Sequence, residues 1–279
     1  MFRVIINFTI IAFLFCFNVA NAQNFHGRAI YESKTKTGDI KITSSDMTEE
    51  MKQMMTEKLA KAFEKTFTLD FNKAESFYYQ EVKLEAPARN NSGINIKTNG
   101  GEKKLYKNSK EKIALTEDEF FGKEFLIQDS LPNWNWKLES ETKQIGNYTC
   151  NKATYTIPVS ENDLKEYEEF KKTKSEGKTS FFQVNEPKEQ VITVWYTPEI
   201  PVPFGPDKYG GLPGLILEVN DGNTIFLCSK IALNAKDFSP IKRPTKGKKV
   251  SQKQFQEIME KQLENMKDSN GNIQIHINR

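Results

Sequence analysis

Apolar and polar positions alternate in short runs through most of the chain. GRAIYES (27–33), TFTLDF (66–71), SFYYQEV (76–82), KLYKN (104–108), KEFLIQD (123–129), WNWKLES (134–140), YTCNKATYTI (148–157), QVITVWYT (190–197), GLILEV (214–219) and TIFLCSKIAL (224–233) combine β-branched and aromatic residues with a two-residue period. About ten such runs at short spacing predict an antiparallel sheet or open barrel rather than alternating βα units. Between the last two, Asn220-Asp221-Gly222-Asn223 reads as a hairpin turn with Asp-Gly at its centre. A two-residue turn there pairs Val219 with Thr224, Leu217 with Phe226 and Leu215 with Cys228, which sets Cys228 on one core face with Leu215, Leu217 and Val219.

Three stretches switch to helical spacing. The first runs from Asp46 to about Thr66, opens with Asp46 and Glu49 at capping-box spacing, and puts Met51, Met55, Leu59, Ala62 and Phe63 on one stripe. The second, Ser160 to about Ser175, is acidic early and basic late, as a solvated helix should be. The third starts at Ser251 with Gln254 completing a capping box and carries Phe255, Ile258, Met259, Leu263 and Met266. The expected fold class is therefore α+β: a curved antiparallel β-sheet or half-barrel with about three helices packed on it or inserted between strands. Residues 159–189 read as a charged helical insertion.

Residues 1–22 look like a secretory signal peptide: Arg3, an apolar run from Val4 to Val19, then Ala20-Asn21-Ala22, with Gln23 as the expected mature start. Residues 23–279 then form one domain, and no later run is long and apolar enough to span a membrane. Losing Arg3 takes the formal charge from +3 to +2, a near balance that gives no reason to expect nucleic acid as a partner. Export also discards Cys16. Cys150 and Cys228 remain as a lone pair bound for an oxidising compartment, where a disulfide between them is the expectation and two buried thiols the alternative.

Motifs that would announce an enzyme are missing: the mature sequence contains no GxSxG, HExxH, CxxC or GxxxxGK[ST]. Its two histidines, His26 and His276, sit near the two ends. A hydrolase would need one of them carried into a cleft with a Ser or Asp. Met47, Met51, Met54 and Met55 lie within nine positions, and thioethers favour soft ions such as Cu(I). Ordinary core filling, with Met51 and Met55 on the sheet, is the plainer reading. No cofactor, metal or catalytic residue is expected. A basic run, Lys242, Arg243, Lys246, Lys248 and Lys249, precedes the third helix and reads as a solvated loop or a contact for anionic lipid.

The densest information lies between Pro198 and Gly214. Five of the eleven prolines, Pro198, Pro201, Pro203, Pro206 and Pro213, fall there, so most of this loop has fixed φ and few backbone donors. Gly210, Gly211 and Gly214 flank Leu212-Pro213 and permit positive φ or close backbone approach. The loop should be a stiff corner where main chain nestles against its neighbours. Its aromatic residues Trp195, Tyr196, Phe204 and Tyr209, with Gly210, Gly211, Leu212, Pro213 and Gly214, make the candidate binding surface.

Gly211 to Ile216 spell GLPGLI. With YTCNKATY (148–155), VWYTPEIPVPFGPDKYGGLPGLILEVNDG (194–222) and PTKGKKVSQKQF (244–255) in that order, the chain resembles the GLPGLI family of exported Gram-negative envelope proteins. DSLPNWNWKLESETKQIG (129–146) has the same look; the N-terminal third is similar only in general pattern. The resemblance implies export and association with outer-membrane receptor systems, hence an envelope protein as partner, and it implies no reaction. The 159–189 segment is longer than such a connection usually is.

Overall fold

The computed structural model describes residues 25–36, 48–51, 53–54, 63–81, 104–175, 186–235 and 238–264. The expected signal peptide, Met47, Met55 and His276 lie outside them. The strands are β1 (His26–Thr35), β2 (Lys65–Asn72), β3 (Glu75–Gln80), β4 (Lys104–Asn108), β5 (Ile113–Phe120), β6 (Lys123–Ser130), β7 (Lys137–Ile145), β8 (Tyr148–Ile157), β9 (Gln190–Thr197), β10 (Leu215–Asn220), β11 (Thr224–Leu233) and β12 (Lys248–Val250). They form one 12-stranded sheet in the order β12-β6-β5-β4-β3-β2-β1-β11-β10-β9-β8-β7. Two runs of neighbouring hairpins, β1 to β6 and β7 to β11, meet where β1 lies antiparallel to β11. β12 pairs parallel with β6, so the sheet is mixed rather than wholly antiparallel.

Two helices with defined bounds lie among the described residues. α1 (Glu161–Ser175) leaves the sheet between β8 and β9, and α2 (Gln252–Glu264) follows β12. Both begin with reciprocal caps: Asp163 N–H donates to Ser160 Oγ while Ser160 N–H donates to the Asp163 carboxylate, and Gln254 and Ser251 repeat the exchange. Phe255 of α2 packs with Phe125, Ile127 and Val250 and covers the β6 end of the sheet. Of the first expected helix, residues 49–51, 53 and 54 are helical; Met51 is exposed there rather than packed on the sheet, and Met54 is exposed as well.

The hairpin between β10 and β11 corrects the expected register. Val219 faces Phe226 and Asn220 faces Ile225, so the two central turn residues are Gly222-Asn223 and not Asp221-Gly222. Gly222 has φ +91°, the positive value that this turn needs at its first central residue. Asp221 Oδ1 accepts from the N–H groups of Asn223 and Thr224 and so fixes the turn from outside it. On the other side of β10, its register against β9 shifts between Ile216 and Glu218. Leu215 and Leu217 join Cys228 in one core cluster, whereas Val219 joins Ile216 in another.

Cys150 and Cys228 are free thiols, not joined by the expected disulfide. Each is buried in the cluster of Ala29, Tyr31, Leu69, Phe71, Leu215 and Leu217, with Cys150 Sγ directed at Tyr148 O and Cys228 Sγ at Lys230 O. Burial pushes the Cys150 thiol up to about 11 and Cys228 up to about 12, so both stay protonated and unreactive.

Candidate functional site

The stretch from Pro198 to Gly214 connects β9 to β10 and feeds both main clusters. Ile200, Val202 and Phe204 enter the cluster around Tyr31 and Phe71, while Tyr209 and Leu212 enter the one around Ile192, Val194, Tyr196 and Ile216. The expected aromatic surface is therefore largely an interior. Phe204 and Tyr209 are each 1% exposed, Leu212 3% and Tyr196 5%. A loop so rich in proline cannot satisfy itself by repeating secondary structure, and its apolar side chains gain more inside the core than on the surface. Trp195 alone of the four aromatic residues stays half-buried, with Lys143 Nζ 4.4 Å above its ring and 2.7 Å from Glu218.

The steric expectation holds at the glycines. Gly211 adopts φ +85° with open space around it, so its requirement is torsional. At Gly214 the requirement is contact: a Cβ would overlap Thr197 O and lie 2.6 Å from Thr197 C and 2.9 Å from Pro198 N. Main chain meets main chain there.

Residues 203–211 close into a lobe. Phe204 bridges Gly210, Gly211 N–H donates to Pro203 O, Tyr209 N–H donates to Pro206 O, and Asp207 sits at φ +44°. The lobe is short of donors and rich in carbonyls, and the rest of the protein supplies what it lacks. Lys107, on β4 and 3% exposed, donates from Nζ to Gly205 O (2.9 Å), Asp207 O (2.7 Å) and Tyr209 O (3.0 Å). Trp134 Nε1 donates to Lys208 O and Trp136 Nε1 to Gly210 O. Tyr31 OH donates to Ile216 O (2.7 Å), and Tyr209 OH to Asp221 Oδ2 (3.1 Å). Satisfying buried carbonyls in this way avoids about 1 to 3 kcal/mol for each left bare.

Burial pulls the Lys107 amine down to about 7, opposed by the Asp207 charge. The Tyr209 phenol is pushed well up by burial first and by Asp221 second. Tyr78, buried on β3, is raised by burial and by the charge of Asp207. These shifts mark a tightly packed polar interior. Sequence reasoning missed Lys107, because a lysine inside KLYKN reads as the wet face of a strand. The only signal for it was the proline loop's need for donors.

Of the two histidines, His26 lies among the described residues. His26 stacks on Phe238 with ring centroids 4.3 Å apart, and its Nε2 lies 3.1 Å from Ala235 O, which pins the start of β1. Among the described residues no group of three or more His, Cys, Asp or Glu is placed to hold a metal ion. Among them, too, no helix is long and apolar enough to cross a membrane.

The stretch that carries this corner is recognisable in other proteins. Residues 136–218 match a family model, described as a protein of unknown function (Porph_ging). The match begins at Trp136, takes in β7 to β9 and the whole loop, and ends within β10. No curated protein matches the chain. Among solved structures, PNGF-II in its C2 space group aligns with 12% identity and a TM-score of 0.49, and in its P21 space group with 13% and 0.47. Each alignment covers 86% of this chain and 34% of PNGF-II, so the chain spans about a third of that protein's length. LprF from Mycobacterium bovis aligns with 8% identity and a TM-score of 0.25 over 81% of this chain and 91% of its own.

Proposed function

We propose that the chain is an exported cell-envelope protein of the GLPGLI family, acting as a non-catalytic binding or accessory module beside an outer-membrane or receptor system. The observation behind this reading is that the GLPGLI corner is used up in holding the fold. Leu212, Gly214, Leu215 and Ile216 are buried, the carbonyls of Tyr209, Gly210 and Ile216 are taken by Lys107, Trp136 and Tyr31, and only Gly211 and Pro213 of the run are exposed. Such a corner gives rigidity to whatever lies above it, and an aromatic group lies half-buried beside it. Trp134 and Trp136 stack at 5.2 Å with Tyr155 edge-on to both, all three half-buried. Aromatic side chains on a fixed scaffold suit protein contact.

The test is photo-crosslinking in intact cells from position 155 and position 195, with the buried position 204 as control. Capture of one envelope protein from positions 155 and 195 and none from 204, weakened by Trp136→Ala, is the expected result. Silence at all three positions would remove the support for a partner.

A further inference from the structure

The hairpin formed by β5 and β6 breaks two local rules at one place. Phe120 pairs with Lys123, so Phe121 and Gly122 are the two central residues of its turn. Both have positive φ, +50° and +71°, as a type I′ turn requires. Glycine suits that conformation and an aromatic residue does not, because the left-handed region crowds Cβ and favours Gly, Asn or Asp. Packing does not explain the choice. The Phe121 ring meets Phe120 edge-on with centroids 4.6 Å apart, yet it is 55% exposed, and among the described residues it is the sole exposed aromatic side chain.

The second rule concerns charge. Glu119 stands directly across from Glu124, and Glu117 shares their face two residues back along β5. Like charges placed opposite each other weaken a strand pair. Glu124 is answered by Lys246 at 3.0 Å, and Lys104 lies across from Glu117. Glu119, exposed and two residues from Phe121, has no ion-pair partner among the described residues.

The fold gains nothing from either feature. Residues that cost the fold something at an exposed tip point to a contact outside it. An apolar ring set in a rim of charges has the anatomy of an interface anchor. On the hairpin itself Lys123 is the one cation beside Glu117, Asp118, Glu119 and Glu124. A single ring there lacks both the apolar area and the positive charge that hold a protein on an anionic bilayer.

We propose that the β5–β6 tip is a contact point for a partner protein, with Phe121 entering an apolar pocket whose rim supplies Lys or Arg to Glu119. The proposal rests on the binding role proposed above and adds to it a place and a partner chemistry.

The test has two arms. Phe121→Asn puts into the turn a residue that accepts positive φ, so it should raise the unfolding midpoint of the purified chain by about 2 to 4 °C. In intact cells, a photoreactive residue at position 123 should attach to a protein, at a site that peptide mapping places in an apolar pocket beside Lys or Arg. Phe121→Asn and, separately, Glu119→Lys should each cut that adduct at least about fivefold. An adduct to lipid or at a site without cations, a yield unchanged in the two variants, or a lowered midpoint for Phe121→Asn overturns the proposal. Adducts from positions 155 and 195 with none from 123 would overturn this contact and leave the binding role standing; silence at every position would overturn both.

Discussion

Gly211 and Gly214 are three positions apart and are glycine for different reasons, which predicts different costs. Alanine at Gly214 must push its methyl into the Thr197–Pro198 backbone, where no side chain can move aside, and should cost about 3 kcal/mol. Alanine at Gly211 meets open space and suffers only its positive φ, so about 1 to 2 kcal/mol is expected. Urea denaturation of the two variants checks the order; equal losses would undo the distinction. Lys107 carries a prediction of another kind. Unfolded, its amine holds a proton up to the ordinary 10.5, whereas folded it gives the proton up near 7. Between those values the unfolded chain binds more protons, so stability from this site rises with pH across the window and is lost as pH falls toward 7. The slope should be at most about 1.4 kcal/mol per pH unit and should be absent in Lys107→Met. Unfolding midpoints from pH 7 upward, compared between the two proteins, measure it. The cysteines should behave as inert core: a thiol reagent should label neither Cys150 nor Cys228 until the protein unfolds, given their burial and raised pKa.

At the scale of elements, the β10–β11 turn is held by one carboxylate that accepts from Asn223 N–H, Thr224 N–H and Tyr209 OH. Asp221→Ala should therefore cost about 2 kcal/mol, more than a surface turn residue would, and a thermal melt reads it directly. The same hairpin shows what the sequence could convey. Asp-Gly announced a turn at the right place, but the side chain of Asp221 works on the turn from its flank, and this moved the register by two residues. The β9 to β11 strands were legible because Val, Ile, Leu and aromatic residues dominate them. β5 was not, since Glu117, Asp118 and Glu119 interrupt its apolar pattern, and these lie on a strand that is only half-covered. β12 is three residues long inside a basic run and owes its existence to β6 beside it. Sterics at Gly211 and Gly214 could be read from residue types; burial of Phe204 and Tyr209 could not, because loop position usually implies exposure. The capping box of α2 was local and so was visible; the Ser160–Asp163 cap of α1 was not read, although it has the same spacing.

For the whole molecule, two adjacent carbonyls fix the shape of the sheet. Tyr209 O receives Lys107 of β4, and Gly210 O receives Trp136, the residue before β7. In the strand order β4 and β7 stand eight places apart, which a flat sheet at roughly 4.8 Å per strand would spread over about 38 Å. Two side chains cannot reach across that distance to neighbouring peptide groups, so the sheet must roll inward, with the proline loop as the tie between its flanks. The tie predicts energetic coupling between residues remote in the strand order. Lys107→Met and Trp136→Phe, combined, should depart from additivity by about 1 kcal/mol or more, because both substitutions release one lobe. Strict additivity in that double-mutant cycle would show that the loop does not link the flanks.

The meeting of β1 with β11 has a consequence for how the chain assembles. Among the described strands β1 comes first and sits in mid-sheet, so one of its sides must wait, unzipped, until β11 has followed. Two meanders can ripen separately by neighbour-to-neighbour zipping, but the groove that receives the Lys107 ammonium comes into being only when they join. The proline lobe thus acts as a clasp that cannot shut early, and its closure marks the moment when both halves are present and correctly set.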